Sequence, residues 1–202
     1  LDPESRVVQR EYASIYAHHT FGRVRVSVGT AGQAALASLP EARGSWFVAG
    51  PFGVAERAQA YHHEFGPERS ELVEGEAFVD ALGRAPSAPA GERRWTYARG
   101  VQDAVVSNLE PVIGATYVGR RIYSPTARRL SMSLGSDDGL RVLVNGQEVF
   151  GREVDRGAAA DQDRVDGVLL RPGMNTLVLK VANTGGPAAV YWRALPGPDG
   201  QP

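Results

Sequence analysis

The sequence predicts an all-β protein: an antiparallel β-sandwich of jelly-roll type over residues 45–195. Three observations carry this. Leu130, Met132 and Leu134 alternate with Ser131, Ser133 and Gly135, a period of two that puts the apolar set on one face of a strand. Asn145-Gly146, the pair best able to hold the positive φ angles of a two-residue hairpin turn, separates the apolar run 140–144 from 147–150. Gly, Pro and Asn turns recur every 8 to 15 residues or so, and no long amphipathic helical pattern intervenes.

In chain order, residues 7–15 and 21–29 read as strands, the second alternating Val24, Val26 and Val28 with Arg23, Arg25 and Ser27. Two strands alone do not make a stable domain, so residues 1–31 must pack on something outside this chain, the reading preferred, or be annexed by the domain that follows. Residues 32–44 form a linker, with a short alanine-rich helix ending at Pro40. Trp46-Phe47-Val48 opens the main module as a strand, and Ala49-Gly50-Pro51-Phe52-Gly53 reads as a punctuated loop. Residues 54–94 are poor in alternation and read as mostly loop with short strands, followed by strands at 94–99 and 116–124. The centre is a meander: strand 130–134, a turn at Ser136-Asp137-Asp138-Gly139, strand 140–144, the Asn-Gly turn, and a return over 147–150. A loop at 156–164, strands at 165–170, 176–181 and 189–194, and a tail at 196–202 complete the reading.

The balance of 22 basic and 23 acidic residues gives a formal net charge of −1, which predicts neither a nucleic acid nor an anionic membrane as partner. Lys180 is the single lysine, and the arginines are scattered. With no cysteine, disulfides, thiolate metal sites and covalent haem attachment fall outside these residues. No apolar run reaches the roughly 20 residues that span a bilayer. The opening Leu-Asp-Pro-Glu-Ser lacks an initiator methionine and reads as a piece of something longer.

The run from Thr126 to Lys180, with Trp46-Phe47-Val48-Ala49-Gly50-Pro51-Phe52 upstream, resembles a sugar-binding-like jelly-roll module that recurs in planctomycete cytochrome c domain-containing proteins. The Ser136-Asp137-Asp138-Gly139 turn, a strand and Asn145-Gly146 are also similar to lectin-like domains of the protective-antigen type. Residues 18–28 look like the closing strands of the sandwich that precedes the module in those proteins. The resemblance implies a periplasmic or extracellular fragment of a multidomain protein, with haem c only on domains outside this chain. It also implies a non-catalytic module, with polysaccharide and the remaining domains of the parent protein or other subunits as partners. A structural spacer or assembly module without a small ligand is the alternative.

Asp137 and Asp138 are adjacent carboxylates at a loop tip, able to chelate Ca²⁺ and through it sugar hydroxyls, or simply to hydrogen-bond their own turn. Asp161 and Asp163 invite a calcium-loop reading but fail the EF-hand register, since Val165, Asp166 and Pro172 stand where an oxygen ligand, glycine and glutamate are needed. A non-helical calcium loop stays open there beside a solvated loop with Arg164 paired to a neighbour, so the predicted metal set is Asp137, Asp138, Asp161 and Asp163. Of the tryptophans, Trp46 and Trp192 sit in apolar strands and read as core, whereas Trp95, flanked by Arg93, Arg94 and Tyr97, is the candidate sugar-stacking surface. Asn145 joins Asp137, Asp138 and Trp95 in the predicted ligand-binding set. His18-His19 and His62-His63 are neighbours that would point to opposite faces of a strand, unsuited to sharing a metal. No nucleophile elbow is present: the serine of Gly135-Ser136-Asp137-Asp138-Gly139 stands one position early.

Overall fold

A computed structural model describes residues 32–79 and 92–196. The strands expected at 7–15 and 21–29 lie outside the described residues. The chain divides into two units, Leu1–Ser38 and Leu39–Pro202. The described part of the first holds helix α1 (Gln33–Ser38), the alanine-rich turn expected before Pro40. Among the described residues no helix is long and apolar enough to cross a membrane.

In the second unit the period-two pattern does what its chemistry requires. One sheet carries β11 (Asp163–Leu170), β8 (Arg128–Ser136), β13 (Ala188–Leu195) and β6 (Ser107–Leu109), in that order. The larger sheet runs β10 (Gln147–Arg152), β9 (Gly139–Val144), β12 (Gly173–Asn183), β7 (Gly114–Ser124), β2 (Phe47–Gly53) and β5 (Thr96–Tyr97), with β1 (Ala42–Arg43) also on β7. All pairings are antiparallel. Leu130, Met132 and Leu134 from β8 join Val190 and Trp192 from β13. Against them lie Leu140, Val142 and Val144 from β9 and Leu177, Leu179 and Val181 from β12. Excluding this aliphatic surface from water is what holds the two sheets face to face.

Three expectations are corrected. The segment Ser136-Asp137-Asp138-Gly139 is not a hairpin turn: β8 belongs to the small sheet and β9 to the large one, so these residues form a corner between layers. Residues 49–53 are not a loop but continue β2, with a register shift between Ala49 and Phe52 that takes Pro51, which has no N–H, out of the ladder. The strand expected at 94–99 is two short ones, β4 (Glu92–Arg94) and β5, which pair with different partners on either side of Trp95. The Asn145-Gly146 hairpin stands as read: Val144 faces Gln147, and the turn residues have φ of 53° and 76°.

Residues 54–79 are mostly loop, as expected, but are organised by helical pieces the sequence did not announce. They supply helix α2 (Arg57–His62), a 3₁₀ turn at Pro67–Arg69 and strand β3 (Ala77–Val79), which pairs with β4. Phe65, Leu72, Phe78 and Trp95 of this layer cover Ala115, Tyr117, Leu143 and Val178 on the outer face of the large sheet. Over this stretch the large sheet is buried on both faces, which explains the unbroken apolar run Leu177-Val178-Leu179. One end of the inner core is closed by Arg120, whose guanidinium lies 4.4 Å over Trp46 and 5.3 Å from Trp192. It donates to both oxygens of Asp103 at 2.6 and 2.9 Å and to the Gly44 carbonyl, so its charge is satisfied where it is buried.

Candidate functional site

At the corner, Asp138 adopts φ of 59° and both its carboxylate oxygens are engaged. Oδ1 accepts from the Arg156 N–H at 3.0 Å; Oδ2 accepts from the N–H and the hydroxyl of Thr184, each at 2.7 Å. Its own N–H donates to the Arg156 carbonyl. Asp138 is therefore the clasp that ties the corner to loop 153–162 and to the turn after β12. Its neighbour Asp137 has a carboxyl pKa raised by burial and by the charges of Asp138 and Asp155, against a backbone hydrogen bond from Ala158 that lowers it.

Loop 153–162 lies over the outer face of the small sheet, and its acids are engaged there too. Asp161 Oδ1 accepts from the Ser133 hydroxyl at 2.5 Å, Arg193 Nε at 2.8 Å and the Tyr191 hydroxyl at 3.3 Å. Arg193 chiefly, and then Ser133, hold the Asp161 carboxyl below its ordinary pKa. Asp163, buried at the start of β11, has Arg156 at 2.5 Å on Oδ2 and Arg152 at 3.0 Å from Oδ1. A calcium ion needs six to eight oxygens. These four carboxylates instead hold guanidinium, amide and hydroxyl donors, and among the described residues no three His, Asp or Glu side chains converge on a metal position. The predicted metal set does not fit Ca²⁺ in this arrangement.

Trp95 is a correction as well: it is fully buried, not a surface platform. Its Nε1–H donates to Ser70 Oγ at 2.8 Å and its ring stands edge-on to Phe78, with centroids 6.1 Å apart. The flanking Arg94 is no guide to exposure, because adjacent residues on a ribbon face opposite ways. His62 ends helix α2 and does not lie in a strand as expected; it approaches Glu153 at 3.2 Å, whereas His63 meets the Phe65 ring.

Asn145 lies at the other end of β9 from the corner, about 20 Å away at ~3.3 Å per residue. The structure thus does not bring the predicted ligand set together. What it does build is a solvent-open polar cleft of about 270 Å³ beside the Asn145-Gly146 turn. Its floor is the outer face of the large sheet where Arg121 of β7 stands opposite Thr176 of β12. Ser70 and its neighbours in the outer layer form one wall; Asn145, Arg171 and the exposed Met174 form the others.

The cleft is held by a residue that sequence reasoning passed over. Asn175 is fully buried; its Nδ2 donates to the carbonyls of Arg171 at 2.8 Å and Gly173 at 3.2 Å. Its Oδ1 accepts from the Arg171 N–H and from Asn145 Nδ2, both at 2.9 Å. Asn145 Oδ1 in turn accepts from the Thr176 N–H at 3.1 Å. One buried amide therefore fixes both turns that border the cleft. The signal was present: Asn175 falls in phase with Leu177, Leu179 and Val181, a polar side chain at a core position.

Compared with known proteins, the sequence matches no family model and no curated protein. Similar solved structures include the PA14 domain of the antifreeze protein MpAFP, at 14% identity and TM-score 0.38 over 78% of this chain and 85% of that one. A PA14 sugar-binding domain from an RTX adhesin is 20% identical with TM-score 0.26, over 40% of this chain and 46% of that one. A GH31 α-xylosidase of Xanthomonas citri is 21% identical with TM-score 0.28, over 42% of this chain and 9% of that one. The chain spans less than half the length of the latter two.

Proposed function

We propose that the unit Leu39–Pro202 is a non-catalytic, carbohydrate-binding-like module that takes its ligand, without calcium, at the cleft beside the Asn145-Gly146 turn. The observation that carries this is the composition of the cleft. Amide, hydroxyl and guanidinium groups suited to sugar hydroxyls border Met174, 54% exposed. Tyr123, the cross-strand partner of Met174 on the same face, is 46% exposed and offers a ring to the C–H face of a sugar. Glycoside cleavage uses two carboxyl groups about 5–9.5 Å apart. Among the described lining residues Glu71 is the one carboxylate, so binding is the chemistry the cleft supports. The sequence resemblance supplies the proposed setting: a periplasmic or extracellular multidomain protein with haem c on domains outside this chain.

A glycan array followed by calorimetry on the full chain, in Ca²⁺ and in EDTA, tests the proposal. The expected result is saccharide binding that EDTA leaves unchanged and that Tyr123→Ala with Met174→Ser weakens about tenfold, the loss of roughly 1.4 kcal/mol. Binding that requires Ca²⁺ and disappears in Asp137→Asn would overturn it in favour of the corner. No saccharide bound in either condition would leave the spacer reading instead.

A further inference from the structure

We infer that the cleft selects an acidic saccharide, seating a carboxylate or sulfate group between Arg121 and Arg171. This rests on the cleft being the ligand site. Most arginines of the unit already hold a carboxylate: Arg120 with Asp103, Arg141 with Glu148, Arg156 with Asp163 and Arg193 with Asp161 are examples. Two of the three in the cleft do not. Arg121 donates from Nε to the Glu71 carbonyl at 3.2 Å, which orients the guanidinium and leaves both Nη groups without a partner among the described residues. Arg171 has its backbone N–H on Asn175 and no side-chain partner among the described residues. The third, Arg69, is spent on Glu64 at 2.6 Å.

Two uncommitted guanidinium groups therefore share an open cleft with the single carboxylate of Glu71, on a chain whose net charge is −1. The excess of cationic side chains is local to the cleft and is not shared by the chain as a whole. Its placement is fixed: Arg121 is part of an eleven-residue strand, and Arg171 opens the turn whose backbone Asn175 holds. Guanidinium is the cation whose planar donors match a carboxylate or sulfate in bidentate geometry, and a saccharide carrying such a group satisfies it while its hydroxyls meet Asn145 and Thr176.

Calorimetry on the full chain with polygalacturonate, a sulfated galactan, a neutral galactan and poly-glutamate tests this, the first two arms separating carboxylate from sulfate. The comparison is between wild type, Arg121→Gln with Arg171→Gln, and Arg57→Gln with Arg99→Gln, which removes the same charge outside the cleft. The expected result is an acidic polysaccharide bound at least tenfold more tightly than the neutral one. That preference should be lost in the cleft variant and kept in the control. Equal loss in both variants, or poly-glutamate bound as well as the saccharides, would overturn the inference as unspecific charge attraction. Neutral galactan bound equally well and indifferent to the cleft arginines would overturn it while leaving the carbohydrate reading intact. No binding to any saccharide would remove both.

Discussion

Lys180 projects from the outer face of β12 into the interface under α2, fully buried. Its Nζ donates to the carbonyls of Tyr61, at 3.0 Å, and His63, and lies 3.4 Å from Glu68. The Tyr117 hydroxyl donates to the same carboxylate, and the Phe65 and Tyr117 rings flank the ammonium at 5.4 and 5.7 Å. Burial dominates over the attraction of Glu68 and brings the Lys180 pKa down from 10.5 to about 8. The unfolded chain, with an ordinary lysine near 10.4, then holds more protons than the native one between about pH 8 and 10, so stability gains with rising pH across that window. Above about pH 10 Tyr117 acts the other way, because its native pKa is raised well above that of the unfolded chain. Urea unfolding of wild type against Lys180→Met from pH 7.5 to 10 should show the wild-type midpoint rising relative to the variant; parallel curves would refute the assignment. Lys180→Met alone strands Glu68, so Lys180→Met with Glu68→Gln should be more stable than either single change. The lone lysine was visible in the sequence, but its environment was not, since Glu68 and Tyr117 arrive from distant elements.

Loops and turns show where reading a sequence locally succeeds. Asn145-Gly146 was legible because the positive φ values it needs are a property of two residues and of nothing else. Ser136-Asp137-Asp138-Gly139 has equally good turn chemistry, yet whether a turn joins strands within a sheet or between sheets depends on the partners those strands find. The same holds for loop 153–162, which is positioned by Gly135 of β8: a Cβ there would lie 1.9 Å from the Ala159 carbonyl oxygen. That obstacle is backbone, so Gly135→Ala must lift the loop and take Asp161 off Ser133, Tyr191 and Arg193. Overpacking of this kind costs about 1–3 kcal/mol. The expected outcome is that loss in chemical unfolding, with faster proteolysis inside 153–162 and unchanged binding at the cleft on the far end of β9. Gly157→Ala, where nothing lies within 4 Å, serves as the control and should be nearly neutral. Equal behaviour of the two variants would show that the loop does not depend on that close approach.

At the scale of the molecule the two facing sheets followed from the alternation in β8 and β12, whereas the third layer did not. Its anchors Phe65, Leu72, Phe78 and Trp95 each fill a separate place on the large sheet and follow no period, and α2 has only six residues to show one. The run Leu177-Val178-Leu179 was the available sign that the sheet is covered on both sides. The layers differ in cohesion: the inner core is aliphatic and strand-bound, whereas the outer interface includes the buried Lys180 and Glu68 and is closed by a short helix and a 3₁₀ turn. The outer layer should therefore open at lower free energy than the sandwich. In native-state hydrogen exchange the amides of His63, Ser70 and Trp95 are expected to exchange at least tenfold faster than those of residues 177–181 in β12. Trp95→Ala, a truncation that costs about 3–5 kcal/mol in a core, should release the outer layer while β8 and β12 stay protected. Ser70 and Glu71 form a wall of the cleft, so a bound saccharide must hold this layer closed, and ligand should slow exchange across residues 66–72 more than anywhere in the small sheet. Uniform exchange in all three layers, or protection by ligand at the Asp137 corner instead, would contradict both the layered stability and the location of the site.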